Sequence, residues 1–231
     1  MNTPEPLRLL HWNIHSWQDP NGGKNVEQVA GLIAETRPHV VSLVEVDETF
    51  AAADNLAHAA DGYVSIFIPA LVYGTAEDVF GNALLTRLPL LAVQHWPLRH
   101  PAPHYDGTEP TEQRTLTCVR IHHHNTPIWI GTTHLPRTDH TERTRTLHQL
   151  HTITHHLTTP WIIAGDFNTP STWTNHNGLT TAPTNTPTYP APNPTEPIDY
   201  CIANAHTTLD GSVLTHPGSD HQPILVTAHF A

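Results

Sequence analysis

The stretch Trp-Ile-Ile-Ala-Gly-Asp-Phe-Asn, residues 161–168, shows most clearly a pattern that recurs along this chain of 231 residues. A short apolar run that ends in a carboxylate and an amide is typical of a buried β-strand that carries polar side chains to the rim of a sheet. The stretch 7–13 ends in the same way at Asn13, and the stretch 40–45 ends at Glu45. Because these pieces come from distant parts of the chain, we expect the fold to gather them at one rigid edge.

Strands and helices alternate along the rest of the chain. Apolar residues at helical spacing predict a helix over 26–36, and an alanine-rich stretch predicts another over 48–60. A third helix is predicted after Thr138 or Asp139, either of which can cap its first turn. The segment 169–197, rich in Thr, Pro and Asn, is predicted to be a long surface loop beside the site. The predicted strands are 7–13, 40–45, 63–68, 82–86, 90–96, 114–121, 128–133, 161–164, 197–202 and 224–228.

Two further carboxylates and a histidine follow near the C-terminal end of the sequence. Asp199 and Asp220 are two more carboxylates, and His221 stands directly after the second of them. Carboxylate and amide oxygens are the ligands that hard divalent cations such as Mg²⁺ prefer. The scattered set therefore predicts a site for Mg²⁺, with Mn²⁺ as the other possible ion, that assembles only in the folded chain.

The order and the residue types of these stretches resemble those of the endonuclease/exonuclease/phosphatase superfamily. These are the metal-dependent phosphoesterases related to pancreatic-type deoxyribonucleases, abasic-site endonucleases, sphingomyelinases and inositol-phosphate 5-phosphatases. Any one stretch is a weak signal, whereas seven of them in the family's order are a strong one. The resemblance implies a single domain over 1–231 with a four-layer α/β sandwich, in which two packed, mostly antiparallel sheets are flanked by helices. The matching stretches are His11-Trp12-Asn13, Val44-Glu45, Gly81-Asn82-Ala83-Leu84-Leu85-Thr86-Arg87, Thr132-Thr133-His134-Leu135, Gly165-Asp166-Phe167-Asn168, Ile198-Asp199-Tyr200 and Ser219-Asp220-His221.

The resemblance also implies a role for each residue of the metal site. Glu45 is the expected direct ligand of Mg²⁺, and Asn13 and Asp220 complete or flank the metal site. Asp166 is expected to orient or deprotonate the attacking water, and Asn168 to hydrogen-bond a phosphate oxygen. Phosphoester hydrolysis needs such groups because charge on the non-bridging oxygens must be neutralised and a water must be aimed in line with the leaving oxygen.

The remaining candidates are expected to act on the phosphoryl group and the leaving oxygen. By the same resemblance His221 contacts the phosphoryl group, and Asp199 orients this histidine, since a carboxylate behind an imidazole fixes its tautomer and raises its pKa. His134 is the candidate to protonate or hydrogen-bond the departing oxygen. Arg114, at the start of a predicted strand, is a candidate phosphate contact through its planar guanidinium. Asn82 is a candidate substrate contact of the same kind.

The formal net charge of −11 limits the classes of substrate. Proteins that hold long nucleic acid need clustered Lys and Arg, because the release of counterions supplies most of the non-specific affinity. The ten basic residues here are dispersed, and Lys24 is the single lysine. The sequence therefore favours a phosphatase or phosphodiesterase that acts on a small or lipid-like phosphorylated molecule. An endonuclease, exonuclease or DNA-repair phosphodiesterase with the same site is the alternative, and a catalytically inactive binding module is a remote third possibility.

The chain shows no secretory signal over residues 1–6 and no apolar run long enough to span a bilayer. Cys118 and Cys201 lie within apolar runs, and we expect them to be buried, unpaired thiols in a reducing compartment. A cytoplasmic protein that is monomeric by default is the resulting expectation. Among the 21 histidines, those outside the candidate site are expected to be mostly surface residues. His151 and His155 have the spacing of a zinc-binding pair on a helix, but no third ligand is evident.

Overall fold

The computed structural model describes residues 5–47, 52–73, 78–98, 113–137, 140–157, 159–176 and 178–230. Within these ranges, twelve strands form two six-stranded sheets that pack face to face. The helices are α1 (Val26–Thr36), α2 (Ala52–Ala59) and α3 (His140–His155). The strands are β1 (Leu7–Asn13), β2 (Val40–Asp47), β3 (Val64–Tyr73), β4 (Asp78–Thr86), β5 (Leu90–Pro97), β6 (Thr115–His123), β7 (Thr126–His134), β8 (Trp161–Asp166), β9 (Thr180–Ala182), β10 (Asp199–Ala203), β11 (Thr207–Val213) and β12 (Ile224–Phe230).

Both sheets are mostly antiparallel, as the family resemblance implied. The first sheet has the order β11-β12-β1-β2-β4-β3, and the second has the order β5-β6-β7-β8-β10-β9. One parallel pair lies inside each sheet, β1 with β2 and β7 with β8. Parallel strands end at the same edge, so these pairs bring the polar ends of four strands to one end of the sandwich. Gly165 permits the second pair, because a Cβ there would lie only 2.6 Å from the carbonyl oxygen of Thr133.

The space between the sheets changes from apolar to polar along the strands. Alternate residues of a strand face the same side, and on β1 these are Leu9, His11 and Asn13. Leu9 belongs to the apolar core that both sheets share, whereas His11 and Asn13 are buried polar residues nearer the strand end. The neighbouring β2 follows the same plan, with Val40 in the apolar core and Ser42 fully buried. One end of the interior is therefore built from polar side chains that need partners.

The outer faces of the sheets are covered by the helices, which completes the four layers. α1 packs Val29 and Ile33 against Trp12 of the first sheet. On the other side, α3 packs Leu150 against Trp161 of the second sheet. The expected four-layer α/β sandwich is thus confirmed. No helix in the described part of the chain combines the length and apolar character needed to cross a bilayer.

The predicted elements are largely present, and three differences have physical causes. The segment 169–197 is not simply a surface loop: it contains a 3₁₀ helix at Ser171–His176 and the edge strand β9, and its threonine hydroxyls satisfy buried polar groups. The strand β11 was not predicted, because its alternating polar side chains lie on an exposed edge of the first sheet. β3 and β4 extend further than predicted and pair as far as Tyr73 and Asp78. The proposed helix start at Glu48 and the caps Thr138 and Asp139 lie outside the described residues.

Candidate functional site

Eight of the ten predicted site residues converge at the polar end of the sandwich, and we call this cluster the carboxylate rim. Its members sit where strands end or begin, which places them on a rigid edge of the two sheets. They are Asn13, His134 and Asp166 at the ends of β1, β7 and β8, Glu45 near the end of β2, Asp199 at the start of β10, Asn168 just after β8, and Asp220 with His221 shortly before β12.

Glu45 is directed to the rim by an irregularity in β2. The register of β2 against β4 shifts between Leu43 and Val46, and Glu45 itself has a φ of 57°. A bulge re-aims a side chain, and left-handed backbone at a non-glycine residue is a strain that clusters at functional sites. The Asn13 amide Nδ2 donates to Glu45 Oε1 at 3.0 Å. Burial raises the pKa of Glu45 and the Asp220 charge adds to this, while the hydrogen bond from Asn13 opposes it.

Asp166 occupies the centre of the rim. Its Oδ2 accepts a hydrogen bond from Asn13 Nδ2 at 3.1 Å. The same oxygen lies 3.5 Å from His134 Nε2 and 3.7 Å from His221 Nε2. Burial first, and then the charge of Asp199, raise the pKa of Asp166 to about 7. A carboxyl group with such a pKa can take up a proton and release it again near neutral pH.

The turn after β8 is stabilised by aromatic stacking of Phe167 and by hydrogen bonds of Asn168. The Phe167 ring stacks on the Tyr200 ring with 4.2 Å between their centroids. Asn168, with a φ of 48°, donates its backbone N–H to Asp166 Oδ1 at 2.9 Å. Its side-chain amide donates to the carbonyl oxygen of Leu135 at 3.0 Å. These contacts fix the side chains of Asp166 and Asn168 against the end of β7.

His221 is held by Asp199, the carboxylate that the family resemblance assigned to orienting it. His221 Nδ1 lies 2.8 Å from Asp199 Oδ2, and the Thr188 hydroxyl donates to the same oxygen at 2.6 Å. Burial alone would lower the pKa of His221, but the charges of Asp199 and Asp166 outweigh it and raise the pKa to about 10. Burial would raise the pKa of Asp199, but the neighbouring His221 charge and hydrogen bonds hold it well below its usual value. At neutral pH this pair is an imidazolium and a carboxylate.

His134 differs from His221 because its neighbour is a cation. Arg114 Nη1 lies 3.0 Å from His134 Nδ1, and a guanidinium can only donate, so Nδ1 accepts and Nε2 faces the rim. Burial, and then the Arg114 charge, lower the pKa of His134 well below its usual value. His134 is therefore a neutral imidazole at neutral pH. The second predicted substrate contact, Asn82, is buried nearby and donates to Thr115 Oγ1 at 3.5 Å.

A cavity of about 830 Å³ opens onto the rim. Its outer wall includes Arg137 and Tyr189, which the sequence did not single out as site residues. Arg137 Nη2 donates to the Tyr189 hydroxyl at 2.9 Å, and its guanidinium carbon lies 5.3 Å from the ring centroid. The Tyr189 ring in turn packs on the imidazole of His221, with 4.6 Å between the centroids. An aromatic ring and an arginine thus stand beside the predicted phosphoryl contact.

Three further residues of the site were not predicted from the sequence. His15, in a left-handed turn directly after β1, lines the cavity and places Nδ1 3.9 Å from Asp220 Oδ1. Thr188 reaches Asp199 from within a segment that composition alone marks as a loop. His11 was part of a matching stretch but was given no role. Its spacing of two residues from Asn13 was the available signal, because it puts both side chains on one face of β1.

Comparisons with known proteins agree with this fold. The sequence profile of the Endonuclease/Exonuclease/phosphatase family matches residues 10–221. No protein among those with curated functions matches the chain in sequence. An endonuclease/exonuclease/phosphatase from Beutenbergia cavernae has a similar structure, with 22% identity and a TM-score of 0.78 over 98% of this chain and 72% of that one.

Two other solved structures are similar over almost the whole of both chains. The mannosyl-6-phosphatase Bt3783 of Bacteroides thetaiotaomicron has 14% identity and a TM-score of 0.79, covering 97% of this chain and 100% of that chain. Danio rerio TDP2, in complex with a single-strand DNA product, has 17% identity and a TM-score of 0.75, covering 97% and 99%. At these identities the similarity establishes the shared fold.

Proposed function

Because this chain belongs to the Endonuclease/Exonuclease/phosphatase family, we propose that it is a Mg²⁺-dependent phosphoester hydrolase that acts on a small or lipid-like phosphorylated molecule. The observation that supports this best is the convergence of Glu45, Asp166 and His221 on one cavity. Asp166 Oδ2 there lies within 3.7 Å of two imidazole nitrogens and one amide nitrogen. Such an arrangement can hold a cation, activate a water and stabilise a phosphoryl group together.

The donor groups of the rim fit a hard divalent cation. Glu45 and Asp220 line the same cavity, so two carboxylates of like charge open onto one space. Carboxylate oxygens in this arrangement suit Mg²⁺ or Mn²⁺ and not a soft metal. We assign Glu45 as the direct ligand, with Asp220 and Asn13 completing or flanking the site. When bound, the ion supplies positive charge to the non-bridging phosphate oxygens.

The protein side chains divide the remaining work according to their charge. Asp166, with a pKa of about 7, is the base that orients and deprotonates the attacking water. His221 is an imidazolium that stabilises charge on the phosphoryl group, and Asp199 keeps it in that state. Asn168 donates a hydrogen bond to a phosphate oxygen. His134 is neutral, so its Nε2 hydrogen-bonds the departing oxygen without carrying a full charge.

The size and walls of the cavity favour a small substrate. A cavity of about 830 Å³ can enclose a small molecule, whereas a duplex would have to lie across the surface of a protein with a net charge of −11. We assign Arg114 to the phosphate, and Arg137 with Tyr189 to the part of the substrate beyond it. The ring of Tyr189 offers a flat apolar face beside His221.

A DNA-processing phosphodiesterase is the second candidate. The observation that favours it is the structural similarity to TDP2, which was solved with a single-strand DNA product. A single strand could enter a cavity that a duplex could not. The same side chains would then act on a phosphodiester whose leaving group is a nucleoside or another ester.

Turnover of a substrate panel distinguishes the two candidates. Purified protein with Mg²⁺ or Mn²⁺ would be assayed on bis-p-nitrophenyl phosphate, on sugar, nucleotide and prenyl phosphates, on single-stranded DNA and on plasmid. We expect the highest kcat/KM on a small phosphoester, and weak duplex binding with a shallow salt slope. Glu45→Gln is the control for contaminating activity. Efficient cleavage of DNA with negligible turnover of the small molecules would establish the second candidate instead.

A further inference from the structure

His11 is a fully buried histidine that contacts the rim from behind. It lies on β1, two residues before Asn13, and faces the space between the sheets. Its Nδ1 hydrogen-bonds Ser42 Oγ at 2.9 Å, and Ser42 Oγ in turn hydrogen-bonds Thr132 Oγ1 at 2.8 Å. These three side chains cross from the first sheet to the second. The contact ties the strand that carries Asn13 to the packing between the sheets.

The other nitrogen of His11 faces the carboxylate of Asp199. His11 Nε2 lies 3.5 Å from Asp199 Oδ1. Within the described part of the chain, these two buried atoms have no hydrogen-bond partner, and each faces the other. Asp199 is 1% exposed, and its other oxygen is taken by Thr188 and His221. Buried polar groups are costly without a partner, so each of the two atoms is the partner that the other requires.

We propose that His11 is a positioning residue that fixes the orientation of the Asp199 carboxylate and, through it, the imidazole of His221. The carboxylate lies between two imidazoles, with Oδ2 2.8 Å from His221 Nδ1 and Oδ1 3.5 Å from His11 Nε2. Rotation of the carboxylate about its Cβ–Cγ bond would break both contacts at once. This inference rests on the proposed phosphoester hydrolysis, in which His221 contacts the phosphoryl group.

Packing alone does not explain why position 11 is a histidine. On the same face of β1, Leu7 and Leu9 are apolar and contribute to the shared core. The residue type changes from leucine to histidine at position 11, where Asp199 of β10 faces β1. An apolar residue here would fill space equally well, but it would leave one oxygen of a buried carboxylate without a partner. The sequence therefore places a hydrogen-bonding side chain where the site needs one.

Two amide variants separate the contacts of His11. In His11→Asn the amide can still reach Ser42 but is too short to reach Asp199. In His11→Gln the longer side chain can place an N–H near the former Nε2. Outer contacts of this kind typically change activity by about 10-fold to 100-fold. We expect kcat of His11→Asn to fall within that range with little change in KM, and His11→Gln to recover most of the loss.

The control variants distinguish positioning from loss of stability. His39→Leu removes another buried histidine at the opposite end of β2, and we expect it to lower Tm while leaving kcat unchanged. In an Asp199→Asn background, His11→Asn should cause little further loss of kcat, because the carboxylate it positions is gone. Equal losses in both backgrounds, or a His11→Gln variant as impaired as His11→Asn, would refute the proposal.

Crystal structures of the wild-type protein and His11→Asn provide a readout that does not require activity. We expect the Asp199 carboxylate to rotate in the variant and its contact with His221 to lengthen beyond hydrogen-bonding distance. An unchanged carboxylate in the variant would refute the positioning role. If the wild-type protein hydrolysed no phosphoester at all, the proposed function would fail, and this structural comparison would still decide the role of His11. Should His11→Asn not fold, His11→Leu, which fills the space without a hydrogen-bonding atom, is expected to show the same rotation.

Discussion

Histidines gather at both ends of the two sheets, yet His221 at one end is charged and His39 at the other is neutral. At the carboxylate rim, Asp199 and Asp166 raise the pKa of His221 to about 10. At the other end, burial, followed by the Arg87 charge, lowers the pKa of His39 to about 4. The two ends belong to the same strands and are built from the same residue type. The difference lies in which groups are buried with the imidazole.

The other end, which we call the histidine end, consists of Glu5, His39, His123 and His124. The Nε2 atoms of His123 and His124 lie 2.9 Å and 3.1 Å from the backbone carbonyl oxygen of Glu5. His39 Nε2 lies 3.8 Å from the Glu5 carboxylate, whose side chain is 66% exposed. A carbonyl oxygen and a solvated carboxylate stabilise an imidazolium far less than a buried carboxylate does. In a chain with 21 histidines, buried carboxylates therefore mark the functional cluster better than histidines do.

The largest effects should follow changes at the centre of the rim. Asp166→Ala removes the proposed base, and His221→Ala removes the cation beside the phosphoryl group. Each should lower kcat by about 10³-fold. The double variant should lose much less than the product of the two, because both groups act on one transition state. Steady-state kinetics of the four proteins checks this, and fully multiplicative losses would show that the two residues act independently.

A matched pair of glutamates compares the two ends directly. Glu45→Gln keeps the shape of the side chain but removes charge from the rim, so we expect kcat to fall by about 10²-fold or more. Because the pKa of Glu45 is already raised by burial, the folded state should not lose stability through this change. Glu5→Gln makes the same chemical change at the histidine end and should leave kcat unchanged. Kinetics and thermal unfolding of both variants check this. A loss of kcat in Glu5→Gln but not in Glu45→Gln would show that the active end of the sandwich was wrongly assigned.

His39 should make stability depend on pH. Its pKa is about 4 when folded and about 6.5 when unfolded, so the unfolded chain binds more protons between these values. Its contribution is present above pH 6.5 and is lost as the pH falls toward 4, by about 3 kcal/mol. His39→Asn does not titrate, and its amide oxygen can still accept the Arg8 N–H that His39 Nδ1 accepts at 3.0 Å. Denaturant unfolding between pH 4 and 7 should therefore give a flatter stability profile for His39→Asn than for the wild type. Parallel profiles would refute the buried neutral state.

The smallest effect is expected from the exposed histidines. His124→Gln alters the hydrogen bond to the Glu5 carbonyl oxygen on an exposed side chain. Surface changes of this kind usually shift the free energy of unfolding by less than about 0.5 kcal/mol. We expect kcat within about twofold of the wild type, measured beside Glu45→Gln. A large loss of activity would mean that the histidine end takes part in the reaction.

Much of the fold was predictable because the strands carry strong local patterns. The apolar runs ending at Asn13, Glu45 and Asp166 identified β1, β2 and β8, and the family resemblance fixed how they assemble. β11 was missed, because a polar strand on an exposed edge has no buried face to give it a pattern. The segment 169–197 does lie beside the site, but Thr and Pro composition does not reveal that it contains a 3₁₀ helix and a strand, or that Thr188 is fully buried.

The site was predictable where one residue type suffices for one task. A carboxylate at the end of an apolar run can be recognised in the sequence. The role of His11, in contrast, depends on Asp199, which faces it from the other sheet. The same holds for Tyr189, whose packing on His221 depends on how the segment before β10 folds back. Contacts between residues far apart in the chain are set by the packing of whole elements, and no local pattern records them.

The proposal that the carboxylate rim holds a catalytic Mg²⁺ can be tested with one measurement. Phosphate release from the best small phosphoester would be followed in excess EDTA and then during titration with Mg²⁺, for the wild type beside Glu45→Gln. We predict that the wild-type rate is abolished by EDTA and returns along a saturable Mg²⁺ curve, while Glu45→Gln shows no comparable recovery. Undiminished turnover of the wild type in excess EDTA, or an identical Mg²⁺ curve for Glu45→Gln, would contradict it.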